Sequence, residues 1–495
     1  MSPPPHGEAG AIQRARDQLD AIGFNGAGVR EALASGEDML SRARDIPVQV
    51  RRLRDAGPLG VAIRLFILDL SVPRDDIARA LAPLSLEAFA SLGLLRIAGD
   101  EVSPLVRIVP HDDFLVASDV RLRAGQGAAH DHLPGVHRPS VTLAHLTVRR
   151  PVETALDLAT GCGIEALLLS AHSKHVLATD VNERAVAYAD FNAKLNRLTN
   201  CEFRAGSWFD PVGSSRFDTL VCNPPYVISP ETQYVYRDSG MPGDSVSEQV
   251  VRQIPAHLNY GGFATVMVSW VARDADDDVA PVKRWVEGSG CDAWILHYRT
   301  EDPLAAARTW NEADATDPVE YARTIDRWLA YFAEQDIPAI AYGTVILRRR
   351  DATRNWVRVD PMPQGRLRPA SDQILRVFAA QEHLGRISSD EALLEERFAI
   401  AERHSIEERA RIGGSGRETV SIQLSLEEGL GFQASVDPYT LRLLEKLGGR
   451  TLRQAFIDAA NSLEVAPDAR GRFVQGGLGV IRQMYATGFL DRVND

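Results

Sequence analysis

Apolar and polar positions fall into three regimes along the chain. From Ala11 to about Asp119 apolar residues recur at helical spacing with short breaks. AIQRARDQLDAI and VREALA are amphipathic, and LGVAIRLFILDL is apolar enough to be buried. PRDDIARAL (73–81) and SLEAFASLGL (85–94) then read as two short helices, and LLRIAGDEVSPLVRIV alternates, which predicts a hairpin with Gly99-Asp100 at its tip. From about 150 to 350, apolar runs of strand length alternate with helical patterns, the signature of βαβ units and a parallel sheet. Ligands of such sheets sit outside the carboxyl ends of the strands. Beyond about Asp351 the pattern changes again. Residues 366–412 read as helical and mixed in charge, GGSGR as a break, and ETVSIQLSL as a strand. DPYTLRLLEKLGG, TLRQAFIDAANSL and GLGVIRQMYATGFL read as three further helices.

Polar residues gather where the central strands end. ALDLATGCG closes a strand with Asp157 and turns through Ala159, Thr160, Gly161 and Gly163 into an apolar helix. Glycine lets backbone pass a ligand without a Cβ in the way, and the helix start offers free N–H groups. Ala159 stands where a G-x-G-x-G loop has its first glycine, and there is no G-x-G-x-x-G. VLATD adds Asp180, an acceptor for ribose hydroxyls, followed by Val181 and Asn182. These features suit either NAD or S-adenosylmethionine. Asn223-Pro224-Pro225-Tyr226, after the strand TLVC, separates the two. The prolines stiffen a turn that holds the Asn223 side-chain oxygen and the Pro224 carbonyl as two acceptors, while Tyr226 can cover a flat group. Such a pair fits the two N–H bonds of a planar amide or amine, held in line with a sulfonium methyl. The expected chemistry is methyl transfer.

On these residues the chain resembles the class I S-adenosylmethionine-dependent N-methyltransferases of the N-P-P-Y type, and within them the HemK-like release-factor glutamine methyltransferases. The resemblance spans about Pro139–Arg350, with the specific motifs inside Asp157–Tyr226. It implies an α/β fold with a Rossmann-like seven-stranded core over residues 139–350. By their own residues the flanking parts at 11–138 and 351–495 read as mainly helical and winged-helix-like, the first from its two short helices followed by a hairpin and the second from its closing helices and Gly488-Phe489-Leu490. The resemblance implies that Gly161 and Gly163 line the methionine end of the cofactor, that Asp180 holds the ribose, and that Ser207 and Trp208 border the adenine. Ser207 stands where related enzymes often carry an acidic residue. His137, Arg138 and Ser140 would border the pocket. The implied acceptor is a glutamine side chain of a protein or peptide; a base of RNA or DNA, methylated at adenine N6 or guanine N2, is the alternative.

Composition narrows the remainder. A length of 495 residues suggests about two to four domains. A net charge of −12 is no footprint for non-specific nucleic-acid binding. The four cysteines are scattered and unpaired in pattern, which argues for a reducing cytoplasm. No run has the length and apolarity of a membrane span, and the polar, Pro-rich residues 1–10 read as a disordered tail. The helix at 85–94 lacks Lys and Arg, so the N-terminal part reads as a packing or dimerisation module. His130 and His132 could begin a metal site, but the loop around them supplies no cysteine. Tyr234, Tyr236, Arg237 and Asp238 are candidates to clamp a substrate, and a helical insertion at about 300–337 would stand near its opening. Arg348, Arg349, Arg350, Arg354 and Arg358 read as a solvated strand edge, with phosphate contact the alternative.

Overall fold

The computed structural model describes residues 3–34, 45–121, 129–312, 317–352, 354–363, 367–413 and 416–493. The chain divides into two compact units, one of Met1–Ala144 with Arg149–Pro361 and one of His145–Val148 with Met362–Asp495.

The first unit is built on an eight-stranded sheet. Its strands are β1 (Val152–Leu158), β2 (Ser173–Asp180), β3 (Cys201–Ala205), β4 (Phe217–Cys222), β5 (Leu258–Val271), β6 (Cys291–Glu301), β7 (Ile340–Arg349) and β8 (Val357–Pro361), in the spatial order β8-β6-β7-β5-β4-β1-β2-β3. All neighbours pair in parallel except β7, which runs antiparallel between β5 and β6. The order reverses at β1 and β4, so the carboxyl ends of these two strands open a crevice at the switch point. Seven strands match the expected Rossmann-like core. The eighth is a correction: Val357–Pro361 joins the sheet beside β6, beyond the expected boundary at 350. Asp292 ties this edge together, accepting from Arg350 Nε at 2.7 Å and from Asn355 Nδ2 and Trp356 N at 3.2 Å. Within the arginine run, Arg349 donates to the carbonyls of Pro255 and Leu258, and Arg358 pairs with Asp360.

Ahead of the sheet come helices Ala9–Ala21, Gly26–Leu33, Ile46–Arg52 and Gly57–Phe66, then Arg74–Ala80 and Leu86–Ser91. Ser85 caps the last, accepting from Ala88 N. The expected hairpin forms from Leu95–Ala98 and Glu101–Pro104, with Gly99 at φ +59 in its turn, and Val72–Pro73 adds a third strand. A second hairpin, Val106–His111 with Phe114–Asp119, carries the chain to the core. Residues 3–8, expected as a tail, run extended, with Pro5 buried and His6 N–H donating to the Leu92 carbonyl at 3.1 Å. This whole region shares one apolar core with the helices that follow β1 and β2. The insertion forms helices Pro303–Asn311 and Pro318–Glu334, which bury Trp328 and Phe332.

In the second unit, helices Ser371–Arg386, Asp390–Leu394, Pro438–Glu445, Leu452–Ser462 and Arg470–Ala486 enclose an apolar cluster. Residues 366–412, expected to be helical, are helical only in part. Phe398–Ile400 and His404–Gly413 are strands, the latter paired with Gly416–Leu426 in a long hairpin. Cross-strand Arg411–Glu418 and Arg417–Glu408 pairs offset the helical preference of those charged residues. Residues 414–415 of the expected GGSGR break lie outside the described residues.

Candidate functional site

The crevice at the carboxyl ends of β1, β2 and β4 is a cavity of about 420 Å³, within the usual range for small-ligand sites. Its floor is the turn after β1. Ala159 sits at φ +61 and Gly161 at φ +55, and a Cβ built on Gly161 meets no atom within 4 Å, so that glycine faces open cavity. Gly163 serves a different need: at φ +87 its added Cβ would lie 3.0 Å from Ala189 Cβ, and it packs the turn against the helix Glu183–Leu195. Asp157 is buried behind the wall. Its Oδ2 accepts from the Thr160 hydroxyl and from Ala166 N at 2.9 Å, which braces the turn on the following helix. Burial pushes its carboxyl up to about 7.

Asp180 lines the cavity at the end of β2. Its Oδ2 accepts from Gly161 N and its Oδ1 from Asn182 N, both at 2.9 Å, which fixes the carboxylate and leaves acceptor capacity on both oxygens. Burial raises its pKa. Asn182 caps the next helix through Arg184 N, and Val181, 60% exposed, lies on the cavity rim. Ser207 and Trp208 line the far end, with Trp208 held at φ +44.

Of the Asn-Pro-Pro-Tyr turn, Asn223 and Pro225 line the cavity. The Asn223 amide makes no hydrogen bond among the described residues. Pro224 and Tyr226 are not lining residues. The Pro224 carbonyl accepts from Tyr226 N at 2.8 Å. The Tyr226 ring stands edge-on to Trp310 at 6.2 Å and packs against an apolar cluster with the insertion helices. Its own carbonyl accepts from Ser269 Oγ, and burial pushes its hydroxyl up to about 12.

The roof comes from two segments that sequence reasoning placed only in outline. His130, Leu133, Pro134, Gly135, His137 and Ser140 close one side; Arg138 does not line the cavity. Here the histidines have structural partners. His130 Nδ1 donates to the Gln233 carbonyl at 3.0 Å, His137 Nδ1 to the Gly135 carbonyl at 2.8 Å, and His132 lies 3.5 Å from Asp119. Asp119 in turn accepts from Arg184 at 2.6 Å and from Tyr188 at 3.0 Å, which anchors this segment on the helix Glu183–Leu195. The other side is Thr232–Met241. Arg237 and Asp238 are spent on each other: Nε to Oδ1 is 2.7 Å, with the two side chains 8% and 0% exposed. Asp238 also accepts from Ser229 Oγ and Tyr234 N, so the pair folds the loop and leaves Tyr236 and Met241 toward the cavity. Arg327 of the insertion holds the same loop through Glu231 at 2.8 Å. Glu165, which motif reading passed over inside an apolar helix, is also a lining residue.

Comparison with known proteins bears on this region. Residues 139–269 match the methyltransferase small domain, and residues 21–105 match a domain of unknown function (DUF7059). A release factor glutamine methyltransferase of Aliivibrio fischeri is 43% identical over 90 residues, 18% of this chain and 31% of that protein. The one of Xylella fastidiosa is 28% identical over 193 residues, 37% of this chain and 62% of that protein. The chain thus spans less than two thirds of the length of either relative. A solved methyltransferase from Pyrococcus furiosus is 18% identical, with 47% of this chain and 90% of that chain covered at a TM-score of 0.29. Residues 139–269 are a class I methyltransferase domain, HemK-like in sequence, and its cofactor is S-adenosylmethionine.

Proposed function

We propose that this domain methylates a planar nitrogen, in first place the side-chain amide of a glutamine in a protein or peptide. The residues of the cavity suit the cofactor. Asp180 has acceptor capacity left for ribose hydroxyls, Gly161 presents backbone without a Cβ, and Trp208 offers an aromatic wall for adenine. When bound, the cofactor supplies an electrophilic sulfonium methyl.

One observation carries the choice of acceptor: the Asn223 amide lines the same cavity as Asp180 and Gly161, and no described residue satisfies it. A buried-edge amide held on a proline-stiffened turn is set to accept one N–H of a planar amide and orient its nitrogen. The Pro224 carbonyl, with one lone pair taken by Tyr226 N, retains a second for the other N–H. Tyr226 acts as a positioning residue that braces the turn through Trp310 and Ser269. The names of the relatives support glutamine as the acceptor. The N-terminal and C-terminal parts, which we read as winged-helix-like, would present the acceptor or pair two chains. An RNA or DNA base is the alternative acceptor, and its binding would fall steeply with salt.

Asn223→Ala should reduce methyl transfer from labelled cofactor by about 10²-fold or more while leaving cofactor affinity within about twofold, the pattern of a lost acceptor contact. Equal loss of both would remove Asn223 from this role. Digesting the labelled products with nuclease or protease identifies the acceptor class: label released by protease alone supports glutamine, and label lost to nuclease replaces it with a base.

A further inference from the structure

The two insertion helices line no part of the cavity among the described residues, yet they touch both segments that would meet an acceptor. Each helix has a capped start, with Asp302 accepting from Ala305 N and Asp317 from Val319 N. Each turns one face inward: Ala307 and Trp310 on the first and Trp328 and Phe332 on the second stand three and four residues apart. These residues pack in one apolar cluster with Val227 and Ile228, just beyond the Asn-Pro-Pro-Tyr turn.

The same helices hold the loop 229–243 at both ends and in the middle. Arg327 Nη2 donates to Glu231 at 2.8 Å, Arg237 Nη1 donates to the Trp310 carbonyl at 3.4 Å, and Gly243 N donates to the Tyr331 hydroxyl at 3.1 Å. The loop has no helix or strand of its own, and it brings Tyr236 and Met241 to the cavity. Its shape is therefore set by the rigid elements it rests on. Trp310 meets both halves of the site. Its ring stands edge-on to Tyr226, its carbonyl holds Arg237, and its indole Nε1 donates to the Tyr342 hydroxyl on β7 at 2.9 Å.

We propose that Trp310 is a positioning residue: tied to β7, it keeps the Asn-Pro-Pro-Tyr turn and the loop 229–243 in one arrangement, so that an acceptor held by the loop meets Asn223. This rests on Asn223 being the acceptor's ligand. A shift of about 1 Å at the turn is enough to lower the rate by about 10²-fold. The cofactor wall does not share this dependence, because Asp180 is fixed by Gly161 N and Asn182 N.

Hydrogen–deuterium exchange of the full chain tests the coupling without an acceptor. Trp310→Leu should raise exchange by about tenfold in both 223–228 and 229–243, while the amides of Gly161, Asn182 and the helix Pro318–Glu334 keep their wild-type protection. Trp310→Phe, which retains a ring against Tyr226, should restore most of the protection at 223–228. Faster exchange in only one of the two segments, or in neither, would overturn the coupling, and faster exchange at Gly161 and Asn182 as well would reduce Trp310 to general packing. Labelled methyl transfer to a purified release factor gives the second readout. Trp310→Leu should lower kcat by about tenfold or more with S-adenosylhomocysteine affinity within about twofold, and Trp310→Phe should recover most of the rate. Full transfer by Trp310→Leu would overturn the proposal. A wild-type chain that binds S-adenosylhomocysteine and methylates no release factor would remove that acceptor instead, and the exchange pattern alone would then decide the role of Trp310.

Discussion

Asp157 shows how much one buried carboxyl can hold. It braces the turn after β1, yet burial raises it from 3.8 to about 7. Between those values the folded chain keeps a proton that the unfolded chain has released. Stability therefore falls as pH rises through that window and levels off above about 7. Asp157→Asn preserves the size of the side chain and removes the titration. Thermal melts of the ligand-free chain should show a shallower decline for the variant between about pH 5 and 7. Glu165 is raised in the same sense and keeps part of the slope. An unchanged slope would mean that Asp157 ionises freely in the folded state.

At the scale of elements, the loop 229–243 depends on a side-chain pair rather than on regular structure. Arg237 lies over the Tyr234 ring at 4.9 Å and the Trp328 ring at 5.8 Å while it binds Asp238. Asp238→Asn leaves the buried guanidinium uncompensated, a loss of about 3–5 kcal/mol locally. Limited proteolysis should cut the variant within 229–243 faster than wild type; equal rates would mean the loop is held elsewhere. Sequence alone offered Arg237 and Asp238 as substrate ligands with the same residues in view. Their adjacency in the chain gave no sign that they face each other. The core strands were legible because each ends in polar residues after an apolar run, as in VLATD and TLVCNPPY. Val357–Pro361 was not, since five residues after an arginine run carry too little pattern to mark an edge strand. His404–Gly413 read as helix because Glu, Arg and Ala favour one locally, and only its partner strand makes it extended. Asn223 and Asp180 were legible as acceptors, whereas Glu165, as a lining residue, was concealed by the apolar helix around it.

For the whole molecule, every residue that lines the cavity belongs to the unit of Met1–Ala144 with Arg149–Pro361. The cysteines share this distribution: Cys162, Cys201, Cys222 and Cys291 all fall in that unit, and the other has none. Burial pushes Cys162, Cys201 and Cys291 up to about 12 and Cys222 well above the usual thiol range. Since the thiolate is the reactive form, the native chain near neutral pH should resist alkylation, and each thiol should react only when its surroundings open. Mass-resolved alkylation over time then acts as a clock for the opening of one unit, with the other silent. Cys162, on the cavity wall, should slow further when S-adenosylhomocysteine is present, while Cys291 keeps its pace. Rapid labelling of Cys162, Cys222 and Cys291 in the folded chain would contradict their burial.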